Sequence, residues 1–153
     1  MAQGHVESIH ITNAAEAAMR SVPEVKAVAG LGLEGDRYAA SLGSFSGKPK
    51  PSRQITLIEA EAIEALELEL GLNLSSGETR RNVVTRGVAL NHLVGRDFRV
   101  GGATLRGHEL CEPCSDLARM TGKPAILPGL THRGGLRAEI LEGGMIRVGD
   151  AVD

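Results

Sequence analysis

The tightest constraint on this chain is its punctuation by glycine. Glycine fills 20 of 153 positions, against about 7% in an ordinary protein, and it is needed wherever a backbone turns with positive φ or approaches itself closely. Turns at that frequency leave only short segments between them, so many short strands are expected. The clearest signal is Gly101-Gly102, set between the stretches Asp97 to Val100 and Ala103 to Leu110. Paired glycines accept the primed turns whose twist matches paired strands, which predicts a hairpin. Similar runs predict strands over His5 to Thr12, Glu24 to Ala29, Arg53 to Ile58 and Thr79 to Gly87. Leu136 to Leu141 and Met145 to Val148, on either side of Gly143-Gly144, add two more.

The helical signals are fewer. Glu59 to Leu70 consists of helix formers, with Ile63, Leu66 and Leu70 on one face, and Gly71 is its natural stop. Its glutamates, Glu59, Glu61, Glu64, Glu67 and Glu69, read as a solvated face and not as paired catalytic acids. Asn13 to Arg20 and Leu90 to Val94 each predict one helical turn. Ser41 to Ser52 and Leu127 to Gly135 read as loops. The glycines of Gly30-Leu31-Gly32-Leu33-Glu34-Gly35 lack the following helix that a nucleotide loop requires. About seven short strands, few helices and no βαβ alternation predict a mainly β fold, a barrel, in one domain spanning residues 1–153.

Composition excludes some functions. The formal net charge is -2, and the aromatic set is 2 Phe, 1 Tyr and no Trp. A nucleic-acid binder needs a strong positive field or stacking faces, and this chain has neither, so its core must be aliphatic. No stretch is long and apolar enough to span a bilayer, and the N-terminus lacks a signal-peptide pattern, which predicts a cytoplasmic protein. The cysteines there stay reduced, as ligands, redox groups or inert core. Nothing in the sequence sets the oligomeric state.

Both cysteines fall in Leu110-Cys111-Glu112-Pro113-Cys114-Ser115-Asp116-Leu117. Pro113 presets the backbone for the first turn of a helix over Ser115 to Thr121, placing Cys114 at the helix start. The partial positive charge there favours a thiolate, the form that binds metal or attacks, while Glu112 and Asp116 oppose it. The thiol therefore reads as ligand-like. A closed zinc site would need four ligands, and a thioredoxin-like dithiol would need a βαβ context. Arg80, Arg81 and Arg86 cluster on a strand and its ends and suit an anion. Arg37 and Arg53 suit either an anion or a neighbouring carboxylate. His108 is the histidine best placed for a functional role, by its position near the cysteines.

The order of Gly35-Asp36-Arg37-Tyr38, Arg53-Gln54-Ile55-Thr56-Leu57-Ile58, Arg80-Arg81-Asn82-Val83, Leu110-Cys111-Glu112-Pro113-Cys114 and Gly144-Met145-Ile146-Arg147-Val148-Gly149-Asp150 resembles the MOSC domain family. That family is named for the C-terminal part of molybdenum cofactor sulfurases, and the resemblance is to its small standalone bacterial members. The resemblance implies a β-barrel of the MOSC and pyruvate-kinase-barrel type. It also implies a molybdenum cofactor (molybdopterin), with Cys114 as the metal ligand and Cys111 assisting. Arg80 and Asn82 match an Arg-x-Asn motif beside the cofactor, with Arg81, Arg86, Arg37 and Arg53 as further anion-binding candidates. Between the cysteines stand Glu112 and Pro113, where the amidoxime-reducing branch has polar and basic groups.

Three readings stay open. The first is a cofactor- or sulfur-handling domain whose partners are an anionic pterin or a sulfur-donor protein, acting in a molybdenum-dependent reductase or as a sulfur-transferase component. It predicts Cys114 in an open, basic pocket. The second is a non-catalytic barrel that docks on a partner enzyme, with both cysteines dry. The third, carried by the resemblance, is a reductase of N-hydroxylated compounds.

Overall fold

A computed structural model describes residues 4–39 and 51–153. Its strands are β1 (His5–Ile11), β2 (Arg20–Ser21), β3 (Glu24–Val28), β4 (Gly32–Leu33), β5 (Ile55–Glu59), β6 (Val83–Arg86), β7 (Asp97–Val100), β8 (Ala103–Leu110), β9 (Leu136–Glu142) and β10 (Gly144–Arg147). The helices are α1 (Ala60–Leu70), α2 (Ser115–Thr121) and α3 (Ile126–Leu130). Seven strands form one sheet in the order β2-β1-β6-β5-β9-β8-β7, and three form a second, β10-β3-β4.

The expected mainly β barrel is corrected to a mixed α/β fold with two open sheets. Neither sheet closes among the described residues: β2 and β7 are the end strands of the larger, β10 and β4 those of the smaller. Two causes are visible. β5 and β6 pair in parallel, Leu57 opposite Val83 and Ile58 opposite Val84, and parallel neighbours need a crossover, which α1 supplies. This is a βαβ unit that the sequence reading excluded. Second, residues 149–153 link β1 to β7 through isolated bridges, His5 to Ala151 and Val100 to Val152, and a few backbone hydrogen bonds, without forming a strand of either sheet.

The central strands bury both faces. Ile55 and Leu57 of β5 and Val83 of β6 enter an aliphatic core shared with Ile9, Val25, Leu105 and Leu136. Their neighbours Ile58 and Val84 enter a second core with Ile63, Leu66, Leu117, Ile126 and Leu130 of the helices. Side chains alternate across a strand with period two, so one short segment feeds both layers. The helix layer lies close because Gly129 has no side chain; a Cβ there would meet Leu66 Cδ2 at 2.6 Å.

The hairpin of β7 and β8 turns at Gly101, φ 55°, with Val100 opposite Ala103, as the paired glycines predict. Gly71 ends α1 in the left-handed conformation, φ 63°. Two local expectations fail. Residues 13–19 form bends and turns, with the carbonyls of Ala15 and Ala17 held by the Arg80 guanidinium instead of by a helical ladder. The loop expected from Leu127 to Gly135 begins with α3; Pro128 sits in its first turn, where a missing N–H leaves no bond unmade. Of the loop expected at Ser41 to Ser52, residues 41–50 lie outside the described residues, and Pro51–Arg53 form a 3₁₀ turn that buries Ser52. No helix among the described residues is long and apolar enough to cross a membrane.

Gly135 combines φ 112° with a backbone so close that a Cβ would meet the Leu57 carbonyl oxygen at 2.0 Å. Gly135→Ala is expected to cost about 3 kcal/mol, read as a lower urea midpoint at unchanged slope. His10 of β1 is buried, with Ser8 Oγ 2.9 Å from its Nε2. Burial holds its pKa below the ordinary 6.5. On acidification the unfolded chain therefore takes up this proton first, and stability falls as pH drops through 6.5 toward the depressed folded value. His10→Gln is expected to flatten the urea midpoint against pH between about pH 7 and pH 5.

Candidate functional site

β8 ends at Leu110 and the chain leaves the sheet through Cys111, whose amide donates to the Gly135 carbonyl at 2.7 Å. The following Pro113 leads into α2, whose N-cap is Cys114 with φ -127° and ψ 167°. Cys111 is buried and Cys114 half-buried, packed against the helix-side core beside Leu117 and Ala118. Both are free thiols. The pair is thus split between a buried cysteine and a partly accessible one.

Both cysteines border an open cleft on the helix side of the large sheet, together with Arg37, Arg53, Arg80, Arg81 and Arg137. Five arginines there meet two carboxylates, Glu112 and Asp116, and both carboxylates have other partners. Glu112 accepts from the His132 amide at 2.7 Å and lies 3.0 Å from His132 Nδ1. Asp116 pairs with Arg119 at 3.4 Å.

The arginines differ in how they are held. Arg37 is buried against Asp36 at 3.1 Å, donates to the sulfur of Met19 at 3.5 Å, and lies over the Tyr38 ring at 4.7 Å. Arg80 donates to the carbonyls of Ala17 and Ala15, each at 2.6 Å. Arg81 donates to the carbonyls of Gly134 and Cys111 at 2.8 Å, of Thr79 at 3.1 Å and of Glu112 at 3.4 Å. Carbonyls satisfy a guanidinium without neutralising it, so Arg80 and Arg81 leave the cleft electropositive. Burial, and then the neighbouring Arg37, hold the Arg80 pKa below its ordinary value. A guanidinium has five N–H donors; Arg80 uses two on the described residues, leaving donors for an anion.

The structure therefore brings Cys111, Cys114, Arg37, Arg53, Arg80 and Arg81 to one cleft. It does not bring Asn82 or Arg86 there. Asn82 is buried as a fastener: its Oδ1 accepts from the Thr56 amide at 3.1 Å, and its Nδ2 donates to the His10 carbonyl at 3.1 Å. Arg86 lies outside the cleft with Glu7, at 2.7 Å, and Glu64; hydrogen bonds to them, Glu7 first, raise its pKa. His108 is likewise away from the cleft, 2.8 Å from Glu139.

Arg137 is the cleft residue that the sequence reading missed. Its position follows from register, opposite Thr56 on β5 and Glu109 on β8. The only local signal is its place between inward-facing Leu136 and Ala138, which marks a face but not a partner.

Among the described residues, no group of three or more His, Cys, Asp or Glu is arranged to hold a metal ion. The donor set instead suits an anionic group that brings its own metal ligands: one soft sulfur donor, and guanidinium charge for oxyanions.

Comparisons with known proteins agree with this architecture. The YUAD protein of Bacillus subtilis superposes with a TM-score of 0.82 at 16% identity, over 99% of this chain and 94% of its own. YiiM of Geobacillus stearothermophilus superposes with a TM-score of 0.75 at 16% identity, over 97% of this chain and 73% of its own. YiiM of Escherichia coli gives 0.69 at 18% identity, over 97% and 68%. These identities show a shared fold alone. No curated protein matches the sequence. The model of the MOSC domain matches residues 40–153, which include both cysteines and every arginine of the cleft except Arg37, and the chain belongs to the MOSC domain family.

Proposed function

We propose that this chain binds an anionic pterin-type molybdenum cofactor in the arginine cleft, with Cys114 as the protein's ligand to the metal. The observation that carries the proposal is the partly exposed Cys114 on a cleft where Arg80 and Arg81 are bonded to carbonyls and keep their charge. A soft sulfur ligand suits molybdenum, and arginine forks suit the phosphate of such a cofactor. Bound there, the cofactor would supply two-electron reduction chemistry, and reduction of N-hydroxylated compounds is the activity to assay. The protein's own part is to hold Cys114 at the rim, keep Cys111 dry, and offer the remaining Arg80 donors to an oxyanion. A reducing, cytoplasmic setting that keeps both thiols free belongs to the same proposal.

A second reading draws on the same accessible thiol: Cys114 carries transferred sulfur as a persulfide, for which an accessible thiolate is the requirement. The two readings separate in one preparation. Protein purified from a host that makes molybdenum cofactor is analysed for metal and pterin beside Cys114→Ser. The expected result is about one molybdenum per chain, lost in the variant. No molybdenum in either protein sinks the cofactor reading, and a persulfide mass shift on Cys114 then establishes sulfur carriage.

Arg80→Gln tests the anion-binding half of the proposal. Affinity for inorganic phosphate, measured by calorimetry at low salt, is expected to fall about tenfold. The difference should shrink as salt rises. Equal affinities at low salt would remove Arg80 from the site.

A further inference from the structure

Arg81 lines the cleft, yet its bonding differs from that of an anion-binding arginine. It is 7% exposed. Nε donates to Gly134, Nη1 to Thr79, and Nη2 to both Cys111 and Glu112, all of them backbone carbonyls. Four donor contacts to four carbonyls leave a fork with little left for a ligand. Two of those carbonyls belong to the Cys111-Glu112-Pro113-Cys114 turn itself.

The turn is constrained by a neighbouring segment as well. A Cβ on Gly134 would meet the Cys111 carbonyl oxygen at 2.3 Å and Pro113 Cδ at 3.3 Å. The Cys111 amide donates to Gly135 at 2.7 Å, and the Glu112 carboxylate is held by the His132 amide at 2.7 Å. The turn is therefore held both by Arg81 and by residues 132–135, and Arg81 ties the two together through the Gly134 carbonyl.

We propose that Arg81 is the positioning residue of the cysteine site: it clamps the Cys111–Cys114 turn against Gly134, and its charge, met among the described residues by carbonyls, attracts anionic reactants to the Cys114 sulfur. Its role is thus exerted through Cys114 and not by holding a ligand phosphate. The inference concerns the thiol site on which the proposed function rests, but its readout needs no cofactor. Failure to find molybdenum and failure of the clamp are therefore distinguishable.

The test is alkylation of the intact protein with neutral iodoacetamide and with anionic iodoacetate, each cysteine followed by peptide mass mapping. In the wild-type protein Cys114 is expected to react and Cys111 to stay unmodified. The iodoacetate-to-iodoacetamide rate ratio at Cys114 should exceed that of a free cysteine peptide by about tenfold at low salt. Arg81→Met removes clamp and charge together: Cys111 becomes reactive, and the ratio falls toward that of the peptide. Arg81→Lys keeps the charge without the planar fork, so Cys111 becomes reactive while the ratio stays high. A merely structural role would not lower the ratio in Arg81→Met while leaving it high in Arg81→Lys. Wild-type Cys111 reacting as fast as Cys114 overturns the proposal, as does a wild-type ratio equal to the peptide's. So does a folded Arg81→Met with the wild-type pattern. If Arg81→Met does not fold, the wild-type protein and Arg81→Lys decide the question on the same criteria.

Discussion

Three consecutive side chains, Arg80, Arg81 and Asn82, fasten strand ends and loops that lie far apart in the chain. Arg80 holds the carbonyls of Ala15 and Ala17, Arg81 those of Cys111 and Gly134, and Asn82 bonds Thr56 and the His10 carbonyl. The backbone at Arg80 is left-handed, φ 60°. Such a conformation costs a non-glycine residue on the order of 1 kcal/mol, and here it coincides with successive side chains reaching different segments. Buried backbone carbonyls need donors, and this short run supplies them where strands begin and loops cross. The fold and the cleft share this one anchor.

The same economy explains why charge collects at the cysteine turn. A surface ion pair cancels its own field, as the pairs Arg86–Glu7 and Arg106–Asp97 do. Guanidiniums satisfied by carbonyls keep theirs. Arg80 and Arg81 are thus structural bonds and, for the same reason, sources of potential. Glu112 and Asp116, which would quench that potential, are held by His132 and Arg119.

Local signals were legible where the chemistry is local. The Gly101-Gly102 turn, the stop of α1 at Gly71 and the start of α2 after Pro113 each depend on one or two residues and on the backbone angles they allow. The cysteine pair and four of the cleft arginines were also readable, since thiols and guanidiniums advertise their chemistry by type. That Arg86 and Asn82 lie outside the cleft was not legible, because residue type does not say on which side of a strand a group points, nor which carbonyl it meets. Arg137 was missed because only the pairing of β9 with β5 and β8 brings it to the cleft.

By itself, the sequence determined many of the elements: short strands cut by glycine, one amphipathic helix, and a cysteine turn set by proline. Tertiary structure alone decided that β5 and β6 run parallel across α1, that the sheets stay open, and that Arg81 grips the turn while Arg86 pairs with glutamates elsewhere. The physical reason is range. Turn and helix preferences act over a few residues, whereas parallel pairing and the matching of buried donors to carbonyls join residues far apart in the chain. Period-two alternation names the faces of a strand but not the strand that will lie beside it.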